Sequence, residues 1–80
     1  MSENLVTMTK NILAEIVEFP DELDIRSEDG NNSAYITIRA NKVDVGKIVG
    51  KKGQTIHALR TLVRTAANKN GIRVNLVVID

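Results

Sequence analysis

Apolar residues at Leu5, Met8, Ile12 and Ile16 recur at the spacing of one helix face and predict a helix from Ser2 to Val17, with Ser2 as a candidate cap. Val6, Leu13 and Val17 add a second apolar row about 100° round, so the face to be covered is wide. Such width suits deep packing against a sheet, or a stripe kept for a partner. Pro20 lacks an amide donor and disfavours helix at Phe19, so Phe19-Pro20-Asp21 is the predicted stop. Leu23 to Arg26 alternates and reads as a short strand. Ala34 to Ala40 alternates again, with Ala34, Ile36, Ile38 and Ala40 on one face and Tyr35, Thr37 and Arg39 on the other. The polar stretch Ser27 to Ser33, with Asp29-Gly30 and two asparagines, reads as a hairpin loop longer than the tightest type.

Asn41 stands three residues before Asp44, the spacing of a reciprocal cap, and opens a predicted short helix from about Val43 to Val49. Gln54 to about Asn68 is the best-patterned helix: Ile56, Leu59, Leu62, Val63, Ala66 and Ala67 fall within an arc of about 140°. His57, Arg60 and Arg64 share the adjoining flank. Asn70-Gly71 supplies a left-handed stop, and Ile72 to Ile79 is a last strand, too apolar at its end for an edge exposed on both faces. A strand-to-strand return across two helices favours a right-handed crossover with parallel pairing. The predicted fold class is therefore α+β, in the order α-β-β-α-α-β, as a three-stranded mixed sheet with three helices packed on one face. Eighty residues without a linker or repeat make one domain spanning 1–80.

The candidate chemistry lies between the second and third helices, in Gly46-Lys47-Ile48-Val49-Gly50-Lys51-Lys52-Gly53-Gln54-Thr55-Ile56. Two glycines let the chain turn tightly and approach a ligand, and two lysines and a following helix N-terminus favour an anion. The nucleoside-triphosphate loop, G-x-x-x-x-G-K-[ST] after a strand, does not fit: the stretch from Gly46 is one residue short, lacks the Ser or Thr, and lies on a helix. The dinucleotide fingerprint G-x-G-x-x-G fails too, since only Gly50-x-x-Gly53 is present.

Helix–GxxG–helix does resemble the core of a KH domain, whose loop clamps about four nucleotides of RNA backbone. Val45, Gly46, Ile48, Val49, Gly50, Gly53 and Ile56 match the apolar and glycine positions of its signature, and the helix–strand–strand lead-in is that of the type II form. Over its whole length the chain resembles the small bacterial KH-domain protein A (YlqC-like) family. The resemblance implies phosphate contacts by Lys51 and Lys52, with amides around Gly53 and Gln54 aiming the next helix's positive end at them. Gly46 would leave room for a base or backbone. Val45, Ile48, Val49 and Ile56, with Ile38 from the neighbouring strand, would floor an apolar groove. Lys47, Arg60 and Arg64 would add basic contacts, and residues 27–33 would be the variable loop forming the opposite wall. For each there is a plainer role: core for Ile48, Val49 and Ile56, and a solvated flank for Lys47, His57, Arg60 and Arg64.

Composition sharpens this. Net charge is only +1, but residues 1–38 carry a balance of −6, whereas residues 39–73 carry nine basic side chains against Asp44 alone. Such segregation marks an electropositive surface, unless the charges intermix on folding. Phe19 and Tyr35 are the only aromatics, which argues against RNA binders built on stacking platforms. There is no cysteine and one isolated histidine, so no nucleophile–base pair, thiolate zinc site or disulfide framework can be named. No metal, cofactor or enzymatic activity is expected. With no membrane-length apolar run and no basic leader, a cytoplasmic protein is expected.

The expected function is a non-catalytic binder of single-stranded RNA. The resemblance further implies pairing, as a homodimer or with a larger KH-containing, Jag-like protein, and a role as a post-transcriptional regulator or RNA chaperone linked to cell shape, wall biogenesis and division. The alternative is a protein-interaction subunit with RNA contact secondary, for which the wide arc of the first helix argues.

Overall fold

A computed structural model describes residues 2–79. Helix α1 spans Glu3–Ala14, strands β1 and β2 span Asp24–Gly30 and Ser33–Arg39, helices α2 and α3 span Lys42–Val49 and Gln54–Asn68, and strand β3 spans Arg73–Val78. The sheet order is β1-β2-β3, with β1 antiparallel and β3 parallel to β2. The element order, the mixed sheet and the α+β class are those the sequence predicts. Leu5 and Leu13 of α1, Ile48 of α2, and Ile56, Leu59, Val63 and Ala67 of α3 close over Ala34, Ile36, Ile38, Val74 and Leu76 of the sheet. The strands present alternate residues to the helices and leave Tyr35 and Arg39 of β2 on the open face, as a half-buried sheet requires.

Helix α1 packs through Leu5, Thr9 and Leu13, a strict i, i+4 row; Thr9 is tolerated because its hydroxyl donates to the Leu5 carbonyl at 2.7 Å. Ser2 does not cap through its side chain. Its hydroxyl shares a 2.6 Å hydrogen bond with that of Ser27 on β1, tying the start of α1 to the sheet. The helix also ends earlier than Pro20 requires. Glu15 and Ile16 donate to Ile12 and Leu13 in a tightened last turn, and Pro20 opens a separate 3-10 turn over Pro20–Glu22. Ile16, expected on the buried row, is exposed.

The stretch expected as a long variable loop over residues 27–33 is mostly strand. Ser27, Glu28, Asp29 and Gly30 pair with Ile36, Tyr35, Ala34 and Ser33, leaving Asn31-Asn32 as a two-residue turn with Asn32 in the left-handed region at φ 53°. Polar composition concealed the strand because Glu28, Asp29 and Gly30 are exposed and are held by backbone pairing alone.

Candidate nucleic-acid interface

Helix α2 begins at Asn41, whose Oδ1 accepts the Val43 amide at 2.9 Å, while its amide group donates to both carboxylate oxygens of Glu22. Asp44 does not complete the reciprocal cap its spacing suggests. Its side chain is fully buried and accepts the amides of Glu18 at 2.8 Å and Phe19 at 3.0 Å, the donors left over where α1 has ended. Asp44 thus fastens α2 to the α1–β1 connection. Burial by itself would raise its carboxyl; the two amides, then the Lys47 ammonium 3.8 Å away, outweigh it and hold the group below its ordinary value of 3.8.

Helix α2 ends on Gly50, whose amide donates to the Gly46 carbonyl at 2.8 Å and whose backbone stands at φ 80°, ψ 173°, a region essentially reserved for glycine. A Cβ there would also strike Thr55, 2.7 Å from its Cβ and 2.8 Å from its amide nitrogen. Lys51–Gly53 forms a 3-10 turn in which Lys52 is left-handed at φ 54°, and Gly53, at φ 74°, precedes α3. Three left-handed residues among four make the turn tight enough to project Lys51 and Lys52 outward, and both are exposed. The amides of Gly53 and Gln54 donate to the carbonyls of Gly50 and Lys51 and close the turn at the start of α3. Both lysine ammoniums are exposed donors of the loop, and among the described residues neither has an ion pair.

Along the first half of α2, Ala40, Lys42, Val45 and Gly46 line a mainly apolar hollow of about 510 Å³. The backbone at Gly46 is open to approach, since a Cβ at that position would meet nothing within 4 Å. Of the apolar residues expected to floor a groove, Ile38 and Ile48 are 0 % exposed and Ile56 is 6 % exposed, so these belong to the core; Val45 and Val49 are half-buried and retain accessible surface. Ala40 and Lys42 were not singled out from the sequence, although β2's alternation followed past Arg39 places Ala40 beside α2.

The remaining basic residues divide. Lys47 leans on Asp44, and Gln54 is exposed at the start of α3. Arg60 and Arg64 lie about 9 and 15 Å farther along α3. Their Nε atoms donate to the carbonyls of Leu76 at 2.9 Å and Val74 at 3.3 Å, on the free edge of β3. Both guanidiniums thus cover an otherwise open sheet edge, with Nη1 and Nη2 left as further donors. His57 is exposed. Among the described residues no group of three His, Cys, Asp or Glu side chains could hold a metal, and no helix is long and apolar enough to cross a membrane.

Two helices joined by this glycine turn, across a crossover between parallel strands and behind a helix–hairpin lead-in, define a type II KH domain. The family described as "KhpA/KhpB, KH domain" matches residues 7–78. Among curated proteins, "RNA-binding protein KhpA" of Chlamydia pneumoniae is 36% identical over 80 residues, covering 100% of this chain and 97% of that protein. Its namesake in Halalkalibacterium halodurans is 36% identical over 74 residues, with coverages of 92% and 97%. That of Borreliella burgdorferi is 32% identical over 77 residues, with coverages of 96% and 94%. No solved structure matches. The chain belongs to the KhpA/KhpB family of KH domains.

Proposed function

We propose that this chain is a non-catalytic RNA-binding protein that holds about four nucleotides of single-stranded RNA between the Gly50–Gly53 loop and the hollow beside Gly46. The carrying observation is the loop itself: a left-handed turn with two exposed lysines, one helical turn beyond Gly46, which lines an apolar hollow. Lys51 and Lys52 take phosphates, Val45 and Val49 offer apolar contact to bases or sugars, and Arg60 and Arg64 extend the positive flank. The relatives' name, RNA-binding protein KhpA, supports the same reading.

A four-nucleotide grip is weak alone, and pairing two grooves on one RNA raises effective affinity without new contacts. Exposed Leu62 on α3, with Ile16 and Phe19 after α1, supports such pairing, with a second copy or with a larger Jag-like KH protein. A role in RNA regulation tied to cell shape and division accompanies that pairing. Changing Lys51 and Lys52 together to Asp tests the clamp. The double variant should keep its circular dichroism and native mass yet lose cellular RNA on crosslinking. Undiminished RNA on a folded double variant would remove the loop from the binding site.

A further inference from the structure

A second hollow, of about 430 Å³, lies at the other end of α3, where β3 begins. It is lined by Ser33, Arg64, Asn68, Arg73, Val74 and Asn75. Among the described residues its lining holds two guanidiniums and three neutral polar side chains, and no acid. From Val45 to Ile79 the chain has seven Lys and Arg residues and no Asp or Glu, and the nearest acids along the sheet are Glu28 and Asp29 of the hairpin that supplies Ser33. One wall is fixed, because Arg64 is held by its Nε on the Val74 carbonyl at 3.3 Å. Arg60 repeats that contact on Leu76 one step nearer the loop.

The repeat has a geometric cause. Arg60, Arg64 and Asn68 are four apart on α3, a rise of about 6 Å each, and Val74 and Leu76 are two apart on β3, a rise of about 6.6 Å. Helix and strand stay in step, so donors recur along the β3 edge at close to the phosphate spacing of an extended single strand. Lys51 and Lys52 stand at one end of this row and Arg73 at the other.

We propose that the hollow at Arg73 is a second backbone-contact site for the RNA strand held by the glycine loop, reached along the Arg60–Arg64 edge. The site takes phosphate through the guanidiniums of Arg64 and Arg73, while Asn68, Asn75 and Ser33 offer hydrogen bonds to sugar or base edges. It rests on the loop being an RNA clamp and lengthens the footprint by roughly 21 Å, the axial rise from Gln54 to Asn68.

Two probes separate the sites: a tetranucleotide, and a single-stranded RNA of about twelve nucleotides. Both are titrated by fluorescence anisotropy at several salt concentrations against the intact chain, Arg73→Glu, Asn68→Asp and the Lys51→Asp/Lys52→Asp double variant. Arg73→Glu and Asn68→Asp, both at exposed positions on different elements, should leave the tetranucleotide unaffected. Each should weaken the longer RNA about ten-fold, and Arg73→Glu should lower its salt slope by about one. Equal affinity of these variants and the intact chain for the longer RNA would overturn the proposal, with the loop reading untouched. Tetranucleotide binding that survives the double lysine variant would instead sink the loop reading. A native mass altered by Arg73→Glu, with RNA affinity unchanged, would make the hollow a protein interface and also overturn the proposal.

Discussion

Gly50 lies so close to Thr55 that a methyl group on the glycine would stand 2.7 Å from the threonine Cβ. The contact closes the turn between α2 and α3, and it separates the two loop glycines. Gly50 combines that collision with a backbone region few other residues enter, whereas Gly53 has the left-handed φ and open space around it. Gly50→Ala should cost roughly 2–4 kcal/mol and Gly53→Ala about 1 kcal/mol, read as shifts in urea midpoint. Equal losses at the two sites would mean that Thr55 is not the obstacle.

Lys52 is the non-glycine residue of the loop in the left-handed region. Lys52→Gly should therefore stabilise the fold by about 0.5–1 kcal/mol in urea unfolding while weakening RNA binding in an anisotropy titration. A variant that lost stability as well would show that the Lys52 side chain supports the turn.

Asp44 sets the acid limb of stability. Its folded carboxyl titrates below the ordinary value of 3.8, so the unfolded chain binds more protons than the native chain between the two values. Stability from this group rises with pH across that window, is complete above it, and is lost as pH falls through the folded value. Asp44→Asn should lower the thermal midpoint at neutral pH, because one of two amides loses its acceptor, and should flatten the fall in stability below about pH 4. An unchanged acid limb in the variant would assign that limb to other carboxylates.

Arg60 and Arg64 protect the edge of β3 through hydrogen bonds to Leu76 and Val74. Replacing Arg60 by Ala should cost about 1 kcal/mol, and Arg60→Lys should not recover it, since lysine has no Nε–H fork at that depth. The Arg60→Ala/Arg64→Ala double variant should self-associate on concentration, measurable by sedimentation, as an uncovered edge strand does. A double variant that remains dispersed as the intact chain does would place the protection elsewhere.

What was legible in the sequence follows from how local each signal is. Helix α3 runs from Gln54 to Asn68 as its apolar stripe predicts, because Gly53 and Asn70-Gly71 punctuate both ends and Ile56, Leu59, Val63 and Ala67 face the core, while Leu62 at the margin of the stripe is exposed. The GxxG turn was equally readable, since its glycines are needed by backbone geometry within four residues. The far half of β1 was not: its side chains meet solvent, and only pairing with β2 defines it. Asp44 looked like a helix-opening acid because its partners, Glu18 and Phe19, are brought to it by the fold and not by the chain. The same distance hid the duty of Arg60 and Arg64. Their spacing on one helix flank was plain, but the carbonyls they cover belong to a strand that follows α3.

The crossover that pairs β3 with β2 also imposes an order in time. Ser33 pairs with Arg73, and every residue of the glycine turn lies in the chain between them. Helix α3 packs on α1, α2 and β3, and β3 follows it in the chain. On a ribosome the turn is thus synthesised before the surface that braces it, and loop closure across so long a span comes late. The Gly50–Gly53 turn is therefore expected to reach its native form only after β3 has emerged and docked.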